Sequence, residues 1–313
     1  MQLVFGVDIG GTDIKIGAFS SQGELIQKWS VKTDLEGNGS RIIPDVAANI
    51  QGYLHAHQMQ EGDILGIGMG IPGPVDDKGY VRTCANLNWN GVYPAAELKK
   101  YFPNARIAAG NDANVAALGE YHKGCGKDAS SMMMITLGTG VGGGIIIDGR
   151  IIAGARGLAG EIGHVALNPS AWEPCSCGNN GCINECASAT GLIKYAKRML
   201  ETDTRNSLLR EIPELTAKNV CDSAKQGDPL AMECIKRCMA PLGAAMAHIS
   251  HAIDPELFVI GGGVSHAGQL LLDAIGESYA SQLFLISKGA DIRLAELGND
   301  AGIIGACMLA ITG

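Results

Sequence analysis

Hydrophobic residues recur along the chain with two different periods. Short apolar runs at residues 3–9, 64–69 and 257–260 have the length and the β-branched content of buried strands. Longer segments have the three- and four-residue spacing of helices, and these are residues 43–57, 95–101, 112–122, 189–201, 216–226, 229–252, 269–279 and 301–311. Because strands and helices alternate, the pattern predicts an α/β fold.

Two pairs of predicted strands carry glycine-rich turns. The run at residues 3–9 leads into Gly10-Gly11-Thr12, and a second run leads into Gly138-Thr139-Gly140. The backbone N–H groups of such turns can form a concave anion site, so two turns of this kind could hold a polyphosphate. Glycines also occur where a chain only reverses its direction, and this alternative stands for either turn alone. The duplication favours phosphate binding.

Two other phosphate-binding motifs do not fit. Residues 138–143 match the G-x-G-x-x-G spacing of dinucleotide-binding folds, but the next residues read as a strand that ends at Asp148-Gly149 rather than as a helix. A Walker P-loop is absent from the sequence, because Asp128 follows Gly126-Lys127 where serine or threonine is required. The sequence therefore argues against a nicotinamide-dependent enzyme and against a P-loop nucleoside triphosphatase.

Length and charge narrow the class of protein further. With 313 residues, of which 46% are hydrophobic and 18% charged, the chain suits two packed domains with a ligand cleft at their junction. The formal net charge is −8, and lysine and arginine form no local cluster. We therefore expect no nucleic-acid partner and no binding to an anionic membrane surface.

Targeting signals and cysteine usage indicate the compartment. The first residues do not form a secretion signal, and no run reaches the ~18 apolar residues needed to span a bilayer. We therefore expect a cytoplasmic protein with no membrane partner. In a large chain without a signal, ten cysteines favour reduced thiols and a metal site over disulfides.

Five motifs together resemble the ROK family of sugar kinases and repressors. They are Asp8-Ile9-Gly10-Gly11-Thr12-Asp13-Ile14-Lys15, Gly110-Asn111-Asp112-Ala113-Asn114, Leu137 to Gly144, Gly160-Glu161-Ile162-Gly163-His164, and Cys175 to Glu185, which resembles the signature C-x-C-G-x-x-G-C-x-E. Asp13 is a departure, because the family often has an uncharged residue there. It adds negative charge beside the first glycine turn.

The resemblance implies a fold, an activity and an assembly. The fold is the two-lobed ribonuclease-H-like α/β fold of actin and hexokinase, with a cleft between the lobes. We expect a smaller N-terminal lobe of residues 1–115 plus about 290–313, and a larger lobe of residues 116–289 that carries the cysteine-rich loop. The activity is ATP-dependent phosphorylation of a hexose. Glucose is favoured, and N-acetylmannosamine, N-acetylglucosamine, fructose, allose and a β-glucoside are alternatives. The assembly is a homodimer or a dimer of dimers.

The resemblance also implies a role for each site residue. Asp112 is the base that takes the proton of the attacking hydroxyl, although an aspartate at the start of a helix is also a common N-cap. Asn111, Glu161, His164 and Glu185 join Asp112 in binding the sugar. The ATP, together with Mg²⁺, is expected to contact Asp8, Gly10, Gly11, Thr12, Lys15, Gly138, Thr139, Gly140, Gly261, Gly262 and Gly263.

One histidine and three cysteines match a structural zinc site. His164, Cys175, Cys177 and Cys182 offer one imidazole and three thiolates, which is a closed ligand set for Zn²⁺. Cys186 is an alternative ligand, one helical turn beyond Cys182, although the family pattern favours Cys182. The ion is expected to fix the loop of residues 168–182 so that His164 presents its second ring nitrogen to the sugar.

Two other classes of protein share parts of this pattern. Sugar-sensing repressors of the family carry an N-terminal helix-turn-helix module, and here the first glycine turn follows Asp8 too early to leave room for one. A binding or structural protein of the actin type would need neither Asp112 nor the cysteine-rich loop. The sequence therefore favours a kinase over both classes.

Overall fold

The computed structural model describes residues 2–76, 78–167, 173–284 and 288–312. The chain divides into two compact units. Unit 1 comprises Met1–Ser130, Gly144–Gly160 and Glu296–Gly313, and unit 2 comprises Ser131–Gly143 and Glu161–Ala295.

The elements follow one another as alternating strands and helices. The strands are β1 (Leu3–Ile9), β2 (Asp13–Ser20), β3 (Leu25–Lys32), β4 (Ile64–Ile71), β5 (Val81–Cys84), β6 (Trp89–Val92), β7 (Arg106–Asn111), β8 (Ser131–Leu137), β9 (Val141–Ile147), β10 (Arg150–Ile151), β11 (Leu257–Gly261) and β12 (Asp291–Leu294). The helices are α1 (Glu36–Gly39), α2 (Ile42–Ala56), α3 (Pro94–Lys99), α4 (Asp112–Lys123), α5 (Asn184–Ala187), α6 (Ala189–Thr202), α7 (Ala217–Lys225), α8 (Pro229–Ile253), α9 (Gln269–Gln282) and α10 (Ala301–Thr312).

The main sheet of unit 1 has the strand order β3-β2-β1-β4-β7. β1, β2 and β3 are antiparallel neighbours, whereas β4 runs parallel to β1 and β7 runs parallel to β4. Leu3, Phe5 and Val7 of β1 are buried in a core that also contains Val46 and Ile50 of α2. Strand residues two apart and helix residues four apart each share a face, so these side chains meet in one layer.

Helix α10 covers the opposite face of this sheet. Val4 of β1 is buried together with Ile303 and Cys307 of α10. Gly6 is required on this face, because a Cβ atom there would collide with the carbonyl oxygen of Ile303. The missing side chain lets the helix lie directly on the strand.

A second five-stranded sheet has the order β10-β9-β8-β11-β12. β9 and β10 are antiparallel, whereas β8, β11 and β12 are parallel. Helix α8 packs against α9, where Gly243 lies against the carbonyl oxygen of Ile275. Both sheets thus place a hairpin beside parallel strands, in agreement with the two glycine-rich hairpins of the sequence.

The compact units differ from the expected lobes in three places. Residues 290–295 fall in unit 2, whereas the expected smaller lobe resumes at about residue 290. Residues 116–130 fall in unit 1 because α4 packs on α10, and a Cβ atom on Gly119 would meet the backbone of Ala301. Gly144–Gly160 also falls in unit 1, since Gly144 lies against Ala117 of α4. The expected boundary after residue 115 would divide α4, whereas its packing keeps the whole helix with α10.

Among residues 2–76, 78–167, 173–284 and 288–312, no helix is both long and apolar enough to cross a membrane.

Candidate active site

The first glycine turn joins β1 to β2 in unit 1. The N–H of Gly10 donates to the carbonyl oxygen of Asp13 at 3.0 Å, and the Thr33 hydroxyl donates to the carbonyl oxygen of Gly10 at 2.6 Å. A Cβ atom on Gly11 would lie 3.0 Å from the carbonyl oxygen of Asn86. At both glycines the backbone therefore lies close to a carbonyl oxygen of another residue, and a side chain there would crowd it.

Asp8 and Lys15 lie opposite each other at the base of this turn. They are register partners of β1 and β2, and the Lys15 Nζ lies 3.5 Å from the Asp8 Oδ2. Burial raises the pKa of Asp8, and the charge of Lys15 acts in the opposite direction. Thr12 is exposed at the turn itself. The turn thus presents a hydroxyl, an ammonium group and a carboxylate side by side.

Lys32 compensates the charge of Asp13. The two residues are register partners of β2 and β3, and the Lys32 Nζ lies 2.8 Å from the Asp13 Oδ1. Both side chains are exposed, so solvent screens the pair and its contribution to stability is small. The negative charge that the sequence predicts beside the turn is therefore paired with a cation.

Asn111 and Asp112 lie where β7 ends and α4 begins. Asn111 is the N-cap of α4, because its Oδ1 accepts a hydrogen bond from the N–H of Asn114 at 3.0 Å. Its Nδ2 donates to the carbonyl oxygen of Gly73 and to the Asp112 Oδ1, both at 3.0 Å. The N–H of Ala113 donates to the same Asp112 oxygen at 2.8 Å. Asp112 is thus not the N-cap, and two N–H donors orient its carboxylate.

The second glycine turn joins β8 to β9 in unit 2. The N–H of Gly138 donates to the carbonyl oxygen of Gly140 at 2.9 Å, which closes the turn. The carbonyl oxygen of Gly138 accepts a hydrogen bond from the N–H of Ala189 at 2.8 Å, and the carbonyl oxygen of Thr139 accepts one from the Thr190 hydroxyl at 3.0 Å. The start of α6 therefore holds the turn from one side.

A run of three glycines, of which Gly261 ends β11, lies near this turn within unit 2. Gly262 has a φ of 84°, and a Cβ atom there would lie 2.6 Å from the backbone nitrogen of Leu137, the last residue of β8. A Cβ atom on Gly261 would lie 2.8 Å from the Met134 side chain, whereas one on Gly263 would meet no atom within 4 Å. Gly262 is thus required by backbone packing, and the position of Gly263 is open.

Four side chains of unit 2 converge as the sequence predicts for a metal site. The ligand atoms of His164, Cys175, Cys177 and Cys182 all lie within 4.8 Å of one another. The His164 Nδ1 lies 3.7 Å from the Cys175 Sγ, and the Cys177 and Cys182 sulfurs lie 3.6 Å apart. Residues 168–172 of the predicted loop lie outside the described residues.

The geometry of this cluster fits a tetrahedral zinc ion. Zinc–sulfur bonds of ~2.3 Å in a tetrahedron place the sulfurs about 3.8 Å apart, close to the separation observed here. Three thiols and one imidazole also form a ligand set that zinc prefers over harder cations. With Nδ1 directed at the cluster, the second ring nitrogen of His164 is the one available to a substrate.

Cys186 does not belong to this cluster. Its thiol donates to the carbonyl oxygen of Ile183 at 3.2 Å, and burial raises its pKa to about 12. The structure therefore favours Cys182 over Cys186 as the fourth ligand.

Glu161 precedes the short 3₁₀ helix Ile162–His164. The N–H of His164 donates to the carbonyl oxygen of Glu161 at 3.1 Å, so the two side chains extend from one helical turn. Gly163 between them lies against the carbonyl oxygen of Val141 in β9, where a Cβ atom would collide. A glycine in this motif thus lets the turn pack on β9.

Glu185 lies one residue beyond the position that the signature gives to its glutamate. The signature places one residue between its last cysteine and the glutamate, whereas Ile183 and Asn184 separate Cys182 from Glu185. Asn184 therefore stands at the signature position. Glu185 is 11% exposed, and its carboxylate accepts from the Asn184 Nδ2 at 3.1 Å and lies 3.2 Å from the Lys194 Nζ. The prediction that Glu185 binds the substrate therefore depends on the position and contacts of its carboxylate, and the spacing of the signature does not support it.

The predicted site residues are divided between the two units. The motif from Asp8 to Lys15 and the pair Asn111 and Asp112 lie in unit 1. Glu161, Glu185, the metal cluster, the second turn and the glycines after β11 lie in unit 2. Sequence reasoning missed Asn184, although a count along the signature would have found it.

The chain is similar over nearly its whole length to one protein family and to sugar kinases. The sequence profile described as the ROK family matches residues 4–312. A glucokinase of Halalkalibacterium halodurans is 39% identical over 305 residues, which cover 96% of this chain and 92% of the relative. An N-acetyl-D-glucosamine kinase of Vibrio cholerae is 32% identical over 319 residues, which cover 99% and 100%.

A solved structure shares the fold. It is a ROK family glucokinase from Streptomyces griseus in complex with glucose and AMPPNP, with a TM-score of 0.81 and 33% identity. The match covers 99% of this chain and 100% of that chain. This likeness confirms the predicted ribonuclease-H-like α/β fold.

Proposed function

The chain belongs to the ROK family, and we propose that it is an ATP-dependent hexose kinase that converts glucose and ATP to glucose 6-phosphate and ADP. The observation that carries the proposal is the likeness to a glucokinase over 96% of the chain. The oriented carboxylate of Asp112 supplies the base that such a reaction needs.

Asp112 is the proposed general base. It accepts the proton of the sugar hydroxyl as that oxygen attacks the γ-phosphorus and the bond to the leaving ADP oxygen breaks. A positioned base typically contributes ~10²- to 10⁴-fold, and alignment of the hydroxyl with the phosphate supplies much of the remaining acceleration. The hydrogen bonds from Asn111 and Ala113 keep the carboxylate in one orientation while it takes the proton.

Sugar hydroxyls are proposed to bind Asn111, Glu161, His164 and Glu185 in addition to Asp112. A carboxylate offers about four acceptor positions, so Glu185 can accept a hydroxyl while it is bound to Asn184 and Lys194. Asn111 keeps one acceptor position on its Oδ1 beyond the N-cap bond. Glu161 makes no side-chain hydrogen bond or ion pair with the described residues, and its carboxylate can take two hydroxyl donors.

The two glycine turns and the glycines after β11 are the proposed nucleotide contacts. Thr12, Lys15 and Thr139 would contact phosphate oxygens, together with the N–H groups of Gly10, Gly11, Gly138 and Gly140. Gly261, Gly262 and Gly263 would leave space for the adenosine. Asp8 is the residue proposed to hold Mg²⁺, which neutralises phosphate charge when it is bound with ATP.

A structural zinc ion is proposed for the cluster of His164, Cys175, Cys177 and Cys182. A closed ligand set leaves no coordination position for a substrate, so the ion would order the loop. The loop then fixes the direction in which His164 presents its second ring nitrogen. A homodimer is the proposed assembly.

A second hexose is favoured by one specific observation. The chain is 32% identical to an N-acetyl-D-glucosamine kinase over 99% of its length. Phosphorylation of an N-acetylhexosamine is therefore the second candidate activity.

The test is ADP formation by the purified protein with Mg-ATP, measured alone and with each of a panel of hexoses and N-acetylhexosamines. Strong stimulation by glucose supports the first proposal, and stimulation by an N-acetylhexosamine alone supports the second. ADP formation that no sugar in the panel changes would contradict both.

A further inference from the structure

The side chain of Asn184 joins the second glycine turn to Glu185. Its Oδ1 accepts a hydrogen bond from the N–H of Val141 at 3.0 Å, and its Nδ2 donates to the Glu185 Oε1 at 3.1 Å. A primary amide offers an acceptor and a donor in one plane, so asparagine satisfies both partners at once. A Cβ atom on Gly140 would lie 2.8 Å from the Asn184 Oδ1, which shows how closely the turn approaches this amide.

The bond from Val141 fixes the end of the turn that the start of α6 does not reach. Ala189 and Thr190 bind the carbonyl oxygens of Gly138 and Thr139. The amide of Asn184 instead holds the N–H of the residue that follows Gly140. Both ends of the turn are therefore attached to residues 184–190, and the direction of its N–H groups depends on this attachment.

Glu185 accepts a hydrogen bond from the nitrogen of the Asn184 amide, and Lys194 in turn binds Glu185. The Lys194 Nζ lies 3.2 Å from the Glu185 Oε2 and 3.0 Å from a carboxylate oxygen of Glu173. Glu185 is only 11% exposed, so its hydrogen bonds are less screened than those at the surface. Hydrogen bonds to an ionised carboxylate are stronger than neutral ones, and the amide is therefore kept in one orientation.

We infer that Asn184 is a positioning residue for the nucleotide, which orients the turn from Gly138 to Val141 toward the phosphates while Glu185 and Lys194 orient its amide. The inference rests on the proposed function, because it takes this turn as a phosphate contact. A glutamate at position 184, as in the signature, would place a second carboxylate against Glu185 and would offer it no donor. Asn184 and Glu185 thus form a matched pair.

The first test is the Asn184→Ala variant, which removes both hydrogen bonds. We expect its KM for ATP to rise about tenfold and its KM for the sugar to rise by a smaller factor, because the variant also loses the hydrogen bond to Glu185. Asn206→Ala, at an exposed position of the same unit, is the matched control and should leave both constants unchanged. A variant in which only the sugar KM rises, or neither constant changes, would overturn the inference.

The second test separates positioning from folding. Asn184→Asp keeps an acceptor for the N–H of Val141 but places a carboxylate against Glu185, so its ATP KM should also rise about tenfold. The double variant Asn184→Asp with Glu185→Gln reverses the direction of one hydrogen bond and should return the ATP KM to within about threefold of the wild-type value. Failure of this rescue in a protein with an unchanged Tm contradicts the inference.

Calorimetric titration with a non-hydrolysable Mg-ATP analogue distinguishes this inference from the kinase proposal. If the wild-type protein binds the analogue but forms no sugar-dependent ADP, the kinase proposal fails, and a weaker affinity in Asn184→Ala still supports the inference. An affinity for the analogue that is the same in both proteins overturns it. A wild-type protein that does not bind the analogue overturns both.

Discussion

Asn111 prepares Asp112 for its proposed role through two separate contacts. As the N-cap, Asn111 fixes the backbone at the start of α4, and its Nδ2 also donates to the Asp112 carboxylate. Asn111 therefore gives the Asp112 carboxylate a fixed direction.

Replacement of Glu161 tests where the sugar binds. Loss of a hydrogen bond to a charged group costs about 1.5–3 kcal/mol, so Glu161→Ala should raise the KM for the sugar by about 10- to 100-fold. The KM for ATP should stay within about threefold. Steady-state kinetics with each substrate varied in turn give both constants.

Glu211→Ala, at an exposed position of unit 2, is the control for this experiment. The opposite split, with a raised KM for ATP and an unchanged KM for the sugar, would mean that Glu161 faces the nucleotide.

The cysteine-rich loop is an element that its own hydrogen bonds hold only loosely. Within the described residues its regular contacts are a few turns and isolated bridges, such as Pro174 with Asn180 and Ala166 with Cys182. Gly178 and Gly181 adopt positive φ values of 93° and 79°, which lets the chain bend around the four ligands. Such a loop has little hydrophobic core of its own, and a metal ion would supply its order.

Metal content tests this element directly. Purified protein should contain about one zinc per chain, and Cys177→Ser should lose most of it because a closed site needs all four ligands. Cys186→Ser should keep the zinc, since that thiol donates to Ile183 and lies outside the cluster. Elemental analysis gives the stoichiometry, and a fully active, zinc-free wild-type protein would refute the structural role.

Glu120 connects α4 to the segment that leads into α10. Its side chain is fully buried and accepts hydrogen bonds from the N–H groups of Cys125, Glu296 and Leu297. The contact between Leu297 and the Glu120 Oε1 is 2.7 Å long. One carboxylate thus accepts hydrogen bonds from three backbone donors.

The variant Glu120→Gln replaces one of these acceptor oxygens by a donor. At least one backbone N–H group then loses its partner, which should lower the free energy of unfolding by about 1–3 kcal/mol. Denaturant unfolding measures the change, and Glu97→Gln, which affects only an exposed ion pair with Lys100, should change it by less than about 1 kcal/mol. Equal effects of the two variants would show that Glu120 is not a structural acceptor.

At the level of the whole molecule, the sequence predicted the elements that are buried and regular. The predicted run at residues 3–9 is β1, and the predicted helices agree with α2, α4, α8 and α10 to within a few residues. The edge strands β3 and β12 gave no such signal, because their side chains are largely exposed or half-buried. A strand held mainly by its neighbour shows no apolar alternation in its own sequence.

The candidate site was predictable where its residues are close in sequence. The zinc ligands Cys175, Cys177 and Cys182 lie in one short loop, and the structure brings them together with His164. The bond from Val141 to Asn184 spans 43 positions, and Lys194 reaches Glu185 from a different helix. Contacts of this kind depend on tertiary packing, which spacing along the chain does not reveal.

Turnover of the Asp112→Asn variant, compared with its affinity for glucose, tests the central claim most directly. The amide keeps an oxygen that can accept from Asn111 and Ala113, so the variant should fold and bind glucose within about tenfold of the wild-type affinity by calorimetry. Its rate of glucose-dependent ADP formation should fall by about 10²-fold or more, because the amide cannot take the proton. A variant with a near-normal rate would remove Asp112 from its role as the base.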